Sequence, residues 1–408
     1  MAVSGGSDSL GLLYRLSQTA GPARLVALTV DHGLREGSAE EARHVKSLSR
    51  RLGLRHETLV WKSDKPATGV QAAARAARYR LMSNAASRMG LAAVLTAHTA
   101  DDQMETLWMR RARRPKESSA GLAGISPATL FEGRMWVLRP WLGIDRAAIR
   151  SDLAASGMSW IEDPSNRDVR FERVRARQAL AERGMADMHT ARKAAARRTL
   201  LARQAGALVQ KHFRPGSDHS LHITLDLQQP PQAVLLALEA AIGLCGGAAR
   251  PLDRRGKAAL EELIYGNRAR QSVTLGRALL RRKGTELTIM RERRGLDRST
   301  IVPGACDDWD GRFRIRNLDH RLPLTVFADA AHPGVPLFSR DFGASSPIWR
   351  LEDGVAGGFV AGALAGRYAR ILPVYETPLG QALADTVGAA AFPPCPWTNA
   401  LAFGGQAP

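Results

Sequence analysis

Cysteine is almost absent. Cys245, Cys306 and Cys395 are the only three in 408 residues, and none precedes position 245. They are too few and too far apart for a disulfide framework or a zinc site, so a reducing compartment, the cytoplasm, is expected. The gap also excludes chemistry. Sulfur transfer through thiolates or a cysteine-bound cluster would have no ligand in the first 244 residues. No apolar run is long enough to span a bilayer as a helix, so no membrane partner is expected. No targeting leader is expected either, because the first residues run straight into a polar turn. Lysine is missing before Lys46, which excludes the phosphate loop G-x-x-x-x-G-K-S/T near the start. Acids are outnumbered, 39 against 58 Lys+Arg, for a net charge of +19. Such a surplus points to a polyanionic partner, by default a nucleic acid, although an arginine-rich codon bias would raise it as well. There are no internal repeats.

What is present organises around Met1 to Ser9, Met-Ala-Val-Ser-Gly-Gly-Ser-Asp-Ser, followed by Leu10-Gly11-Leu12-Leu13. An apolar lead, a Gly-Gly turn and a helix start make an anion site. Glycine admits close backbone approach, free N–H groups face the anion, and the helix dipole adds positive potential. Ser4, Ser7 and Ser9 add hydroxyl donors, and Asp8 would orient them or hold a metal.

Strand and helix then alternate. Strands are expected at Arg24–Val30, Leu54–Trp61, Leu91–Ala97 and Met135–Leu138. Helices are expected from a capping box at Ser38-Ala39-Glu40-Glu41, over Gly69–Met89, from His98 onward, and from an Asp145 cap to about Ser156. This is an α/β pattern with a parallel sheet, whose ligands bind at the carboxyl ends of the strands. The polar groups follow the strand ends: Ser4, Gly5, Gly6, Ser7, Asp8 and Ser9; Asp31 and His32; His98, Asp101, Asp102 and Glu105. They should meet in one crevice. Asp101 and Asp102 beside a phosphate loop suit Mg²⁺, or they serve as helix-dipole partners. Arg75, Arg78 and Tyr79 share a helix face that would meet phosphate or be a solvated basic surface.

Arg110 to Ala120 reads as a basic loop, a lid or RNA contact. Trp160-Ile161-Glu162-Asp163 brings a second group of acids, and Arg167, Arg170, Arg173, Arg175 and Arg177 crowd the segment after it. From Met188 the style changes. A connector helix over 190–213, helices over 231–244 and 253–265 and a hairpin around Lys283-Gly284 predict a small domain to about 295. Gly311-Arg312-Phe313-Arg314-Ile315-Arg316 alternates, so one strand face is expected to be basic, either as a solvated edge or as an RNA contact. Beyond 318 a small β-rich domain is expected, with a flexible tail from about Phe392. The expected domains are 1–187, 188–295 and 296–408.

These motifs carry a resemblance. Ser4-Gly5-Gly6-Ser7-Asp8-Ser9 resembles the loop of the N-type ATP pyrophosphatases, the PP-loop enzymes. Val30-Asp31-His32-Gly33-Leu34-Arg35, Gln71 to Tyr79, His98 to Thr106, Gly121 to Ile125, Arg139-Pro140-Trp141-Leu142 and Trp160 to Asn166 together resemble the tRNA(Ile)-lysidine synthase family over about residues 1–185. The match is weaker to 295. The resemblance implies a PP-loop, adenine nucleotide alpha hydrolase-like N-terminal domain, a helical linker and smaller α+β C-terminal domains. It implies a ligase that uses ATP and Mg²⁺ to adenylate the wobble cytidine of the CAU-anticodon isoleucine tRNA, and then joins free L-lysine to C2. The loop residues with Arg75 and Arg78 would bind ATP, and Asp8, Asp101 and Asp102 would hold Mg²⁺. Asp31, His32, His98 or Glu105 would take the lysine proton. Glu105, Glu162 or Asp163 would bind the ammonium, and Arg173 and Arg175 would steady tRNA or polyphosphate. A homodimer is one expected assembly.

Two features depart from the family. Its strand before the loop is usually longer than Met1-Ala2-Val3, so the true start is expected upstream and the short form is expected to be less stable. Its loop after the His98 helix is usually glycine-rich, where this chain has Arg113-Arg114-Pro115-Lys116-Glu117-Ser118-Ser119. Other readings are a tRNA thiolase, disfavoured by the missing cysteines, an amidating ligase on a small metabolite, and a non-catalytic ATP-gated RNA-binding protein.

Overall fold

β-branched and leucine-rich runs separated by alanine-rich amphipathic segments set the first half of the chain, and a computed structural model shows what they build. It describes residues 1–34, 37–113, 123–162, 170, 172–183, 188–267, 270–341 and 347–397. One compact unit comprises Met1–Arg198, Pro373–Tyr375 and the described residues from 394; the second comprises Thr199–Leu372 and Glu376–Pro393.

The first unit contains α1 (Ser7–Thr19), β1 (Val26–Asp31), α2 (Ser38–Arg51), β2 (Arg55–Val60), α3 (Val70–Arg88), β3 (Ala93–Leu95) and α4 (Ala100–Arg113). After these come β4 (Ala128–Phe131), β5 (Met135–Leu138), α5 (Arg146–Ala155) and α6 (Glu172–Arg183); of α7 (Met188–His212), residues up to Arg198 belong to this unit and the rest to the second. β1 and β2 pair in parallel with Val26 opposite Arg55, and β3 and β5 pair in parallel with Ala93 opposite Trp136. Met1–Val3 lies between these pairs. Leu28 N donates to Met1 O (2.7 Å), Val3 N to Leu28 O (2.9 Å) and Ala2 N to Leu95 O (2.9 Å). Three residues therefore complete the central position of an α/β sheet ordered β2, β1, residues 1–3, β3, β5, β4.

The two-residue repeat of a strand sends alternate side chains to opposite faces. Met1, Val3 and Ala27 pack with Leu10, Leu13, Val45 and Leu48 of α1 and α2. Leu28, Leu59, Val94 and Val137 pack with Met82, Ala85 and Ala86 of α3. Helices thus cover both faces, and the strand ends are left for function.

Some local expectations change. Ser38 does not close a capping box: Gly37 is the N-cap, and the Ser38 hydroxyl donates instead to Asp31 Oδ1 at 2.7 Å. Asp145 occupies the N-cap of α5 without a side-chain cap bond, because that helix start is held by Asp101, whose Oδ2 accepts from Arg146 N at 2.8 Å. β4 goes beyond the sequence reading. It forms an antiparallel hairpin with β5 through Glu132 and Gly133, both at positive φ.

In the second unit, β6 (Phe213–Pro215), β7 (Leu221–Thr224), β8 (Arg270–Leu275), β9 (Ala278–Lys283) and β10 (Glu286–Arg291) form a sheet ordered β6-β7-β10-β9-β8. With it go α8 (Pro231–Gly246) and α9 (Arg254–Tyr265), which Asp253 caps by accepting from Gly256 N. Next come β11 (Ser299–Ile301), β12 (Cys306–Trp309), β13 (Phe313–Asn317), β14 (Leu324–Ala328), β15 (Pro336–Ser339), β16 (Ile348–Trp349) and β17 (Phe359–Ala363). They make sheets β11-β14-β15-β16 and β12-β13-β17 around one core of Ile301, Trp309, Phe313, Ile315, Val326, Phe338 and Phe359. α10 (Thr377–Thr386) follows.

The arginine-alternating stretch is corrected here. β13 is the middle strand of its sheet, not an edge. Arg312 is buried on Asp310 and Arg314 pairs with Asp308, so of the three alternating arginines only Arg316 is exposed.

Candidate active site

The Gly-Gly turn leaves the central strand and enters α1. Gly5 has φ +89°, a conformation that calls for glycine, and a Cβ there would lie 2.9 Å from Ile161 Cδ1. Gly5 O accepts from Ile161 N at 2.9 Å, which ties the loop to the 160–162 segment. Ser9 Oγ donates to Gly6 O (3.0 Å) and accepts from Ser4 N (3.2 Å), which folds the loop back on the helix. The first-turn N–H groups of α1 have no intrahelical acceptors and are left for a ligand.

In front of the loop is a cavity of about 590 Å³. Its lining includes Ser4, Gly6, Ser7, Asp8 and Ser9 from the loop; Arg75, Arg78 and Tyr79 from α3; Thr96, His98 and Asp102 around the β3–α4 junction; and Arg146 and Arg150 from α5. Ile161, Glu162, Arg173 and Arg177 close the other side. Six of these residues are arginines and three are carboxylates, so the cavity has a positive field suited to a polyphosphate.

The acids are not isolated. Arg146 Nε donates to Asp8 Oδ2 at 2.9 Å, and its Nη2 donates to Asp102 Oδ1 at 3.2 Å. Arg173 donates to Asp102 Oδ1 (2.8 Å) and to Glu105 Oε2 (3.1 Å), while Arg177 Nε donates to Glu105 Oε1 (2.9 Å). Asp102 is nine-tenths buried, and Arg173, the Thr99 N–H and Arg146 hold its carboxyl below the usual range despite that burial. Burial, reinforced by Arg139, lowers the His98 pKa to about 3, so its ring is neutral; Nδ1 lies 3.0 Å from Thr96 Oγ1. Arg150 reaches Ser7 Oγ (3.3 Å) and Glu162 Oε1 (2.9 Å).

Several residues singled out in the sequence stand behind the cavity wall. Asp31 Oδ1 accepts from Gly33 N (2.9 Å) and Ser38 Oγ (2.7 Å). His32 takes an Arg78 guanidinium on Nε2 at 3.2 Å, packs against Trp61, and is kept neutral first by burial and then by Arg78. Asp101 caps α5, as above. Glu105 is 1% exposed, beneath Arg173 and Arg177. Arg175 turns to the Arg170 carbonyl at 2.9 Å. Asp163 and the segments 114–122 and 164–169 lie outside the described residues. Among the described residues no three His, Cys, Asp or Glu side chains group as a metal set.

Arg146 and Arg150 escaped the sequence reading, whereas Arg177 belongs to the arginine cluster it named. A signal existed for the first: an arginine in the first turn of a helix opposes the dipole and therefore needs acids nearby.

Comparison with known proteins agrees with this geometry. Residues 1–183 match the model of a PP-loop domain. The chain is 35% identical to the tRNA(Ile)-lysidine synthase of Mesorhizobium japonicum, covering 97% of this chain and 93% of that one. It is 38% identical to that of Rhizobium meliloti over 81% and 75%, and 39% identical to that of Brucella ovis over 76% and 72%. Among solved structures, the U34-tRNA thiolase NcsA from Methanococcus maripaludis is similar at a TM-score of 0.37 and 12% identity, covering 45% of this chain and 64% of that one, too distant to carry an argument. With relatives of this identity spanning nearly its whole length, the chain belongs to the tRNA(Ile)-lysidine synthase family.

Proposed function

We propose that this protein joins free L-lysine to C2 of the wobble cytidine in the CAU anticodon of an isoleucine tRNA, converting ATP to AMP and pyrophosphate. The observation that carries this reading is one cavity, in a chain of this family, that gathers the Ser4–Ser9 loop, His98, Asp102 and six arginines. Two balanced steps account for the product. The C2 carbonyl oxygen of cytidine attacks the α-phosphorus, the α–β bond breaks, and pyrophosphate leaves. The ε-amine then attacks C2, the bond to AMP breaks, and the amine gives up its protons. The product, lysidine, pairs with A, and decoding switches from AUG to AUA.

The loop N–H groups and serine hydroxyls, with Arg75 and Arg78, bind the phosphates and stabilise the leaving charge. Asp8 and Asp102 would hold Mg²⁺, with Asp101, the third proposed ligand, behind them on Arg146 N. The donor set fits, because this ion takes one or two carboxylates and completes its shell with phosphate oxygens and water, and Asp8 and Asp102 both face the cavity. When bound it neutralises charge on the breaking phosphoanhydride. Glu162, in the cavity lining, and Asp163 are the proposed seats for the lysine ammonium, with Glu105 behind Arg173. Arg173 and Arg175 steady tRNA or polyphosphate.

Lysine arrives as an ammonium of reference pKa near 10.4 and must lose a proton. Of the proposed acceptors, His98 lines the cavity, while Asp31, His32 and Glu105 stand behind its wall. The depressed pKa of His98, about 3, suits it to hydrogen bonding more than to keeping a proton. We assign residues 188–295 to tRNA binding and 296–408 to a separate small domain. A cytoplasmic location and a homodimer complete the proposal.

Nucleoside mass spectrometry tests the reading. After incubation with ATP, lysine and the CAU-anticodon transcript, a digest is expected to contain one lysine-substituted cytidine per tRNA. An unmodified digest, from protein that still binds ATP, contradicts it.

A further inference from the structure

The second unit has its own surplus of buried positive charge. The Asp310 carboxylate, 3% exposed, carries three arginines. Arg291 donates to Oδ2 at 2.9 Å and to Oδ1 at 3.0 Å, Arg312 Nε donates to Oδ2 at 2.6 Å, and Arg277 pairs with Oδ1. Arg291 and Arg312 are 0% and 4% exposed, and guanidinium does not lose its proton in a protein. One buried acid thus faces two fully buried cations.

Arg312 is also incompletely bonded. Nε uses Asp310, Nη1 donates to Gly334 O at 2.7 Å, and Nη2, buried, has no partner. The guanidinium lies near the rings of Trp309 (5.6 Å) and Phe313 (5.1 Å). A buried donor without an acceptor is costly, so its presence points to an acceptor supplied from outside. Arg312 lines a cavity of about 210 Å³. Ser220 and His219 lie at its polar side, and Leu244, Leu364 and Val387 are among its apolar walls. Cys245, also in the lining, adds no negative charge, because burial pushes its thiol up to about 12.

We propose that this cavity binds a small aliphatic monocarboxylate, its carboxylate on Arg312 Nη2 and its hydrocarbon body against Leu244, Leu364 and Val387. One unpartnered donor matches one carboxylate. The walls match a short alkyl chain. The site shares no residue with the ATP cavity.

The test is saturation-transfer NMR on the full chain with isovalerate, with inorganic phosphate and free lysine as competitors. Saturable binding is expected with a Kd of about 1 mM, the reach of so small a ligand. Val387→Phe fills the cavity and leaves the charge, and Arg312→Gln removes the charge and leaves the space. Each is expected to weaken isovalerate at least tenfold while ATP binding stays unchanged, and neither phosphate nor lysine should displace it. Should Arg312→Gln not fold, Val387→Phe alone decides. Absence of saturable binding, equal binding by the filled variant, or displacement by phosphate would overturn the proposal.

Discussion

Arg146 Nε lies 2.9 Å from Asp8 Oδ2, and the same guanidinium reaches Asp102 Oδ1 at 3.2 Å, so one arginine joins the phosphate loop to the start of α4. It stands between two of the carboxylates proposed for Mg²⁺. Its backbone N–H is held by the third, Asp101.

Arg146→Ala removes this charge-assisted link, of the kind worth about 1.5–3 kcal/mol. The expected outcome is a fall in kcat/KM for ATP of roughly tenfold to a hundredfold, read from initial rates. Nucleotide-free Mn²⁺ binding, followed by electron paramagnetic resonance, is expected to strengthen once the cation between Asp8 and Asp102 is gone. Unchanged rates and unchanged Mn²⁺ binding would remove Arg146 from the site.

Glu105→Gln tests the buried end of the network. Glu105 is 1% exposed, but Arg173 and Arg177 are 48% and 42% exposed and can turn to water, so the loss is discounted to about 1–2 kcal/mol. At the scale expected for a domain of this size, that is a drop of roughly 2–8 °C in the unfolding temperature. Calorimetry checks it, and a variant as stable as wild type contradicts the stabilising role.

His98 makes stability depend on pH in a defined direction. Its folded pKa, about 3, is below the ordinary 6.5. Between these values the unfolded chain binds a proton that the folded chain refuses. The contribution is complete above pH 6.5 and is lost progressively as pH falls toward 3. From pH 6.5 to pH 5 the loss is about 2 kcal/mol. Urea unfolding at both pH values should show this slope in wild type and a flatter one in His98→Asn. Equal slopes would mean that the ring titrates normally.

Gly5→Ala forces a side chain into φ +89° and against Ile161. A destabilisation of about 1–3 kcal/mol is expected, together with weaker ATP binding in a fluorescent-nucleotide assay. Wild-type affinity would show that the loop tolerates another geometry.

The crevice was legible in the sequence because a parallel sheet delivers every strand end to one side, so Ser4–Ser9, His98 and Asp102 had to approach one another. Helical spacing put Arg75, Arg78 and Tyr79 on one face but did not say which way that face points. Hydrogen-bond partners were less legible. Asp31 and Asp101 share the composition of Asp8 and Asp102, yet they hold a turn and a helix start, and that choice depends on which backbone N–H comes near. Arg146 and Arg150 come from α5, whose packing on α1 no local pattern announces. The arginines at 312 and 314 misled for the same reason, since Asp308 and Asp310 reach them only once β12 and β13 pair.

The most direct measurement is lysine incorporation. With ATP, radiolabelled lysine and a transcript of the CAU-anticodon isoleucine tRNA, label is expected in RNA only when ATP is present. None is expected when the wobble cytidine is replaced by uridine. Label that ignores the wobble base, or no label from protein that still binds ATP and this tRNA, would contradict the account.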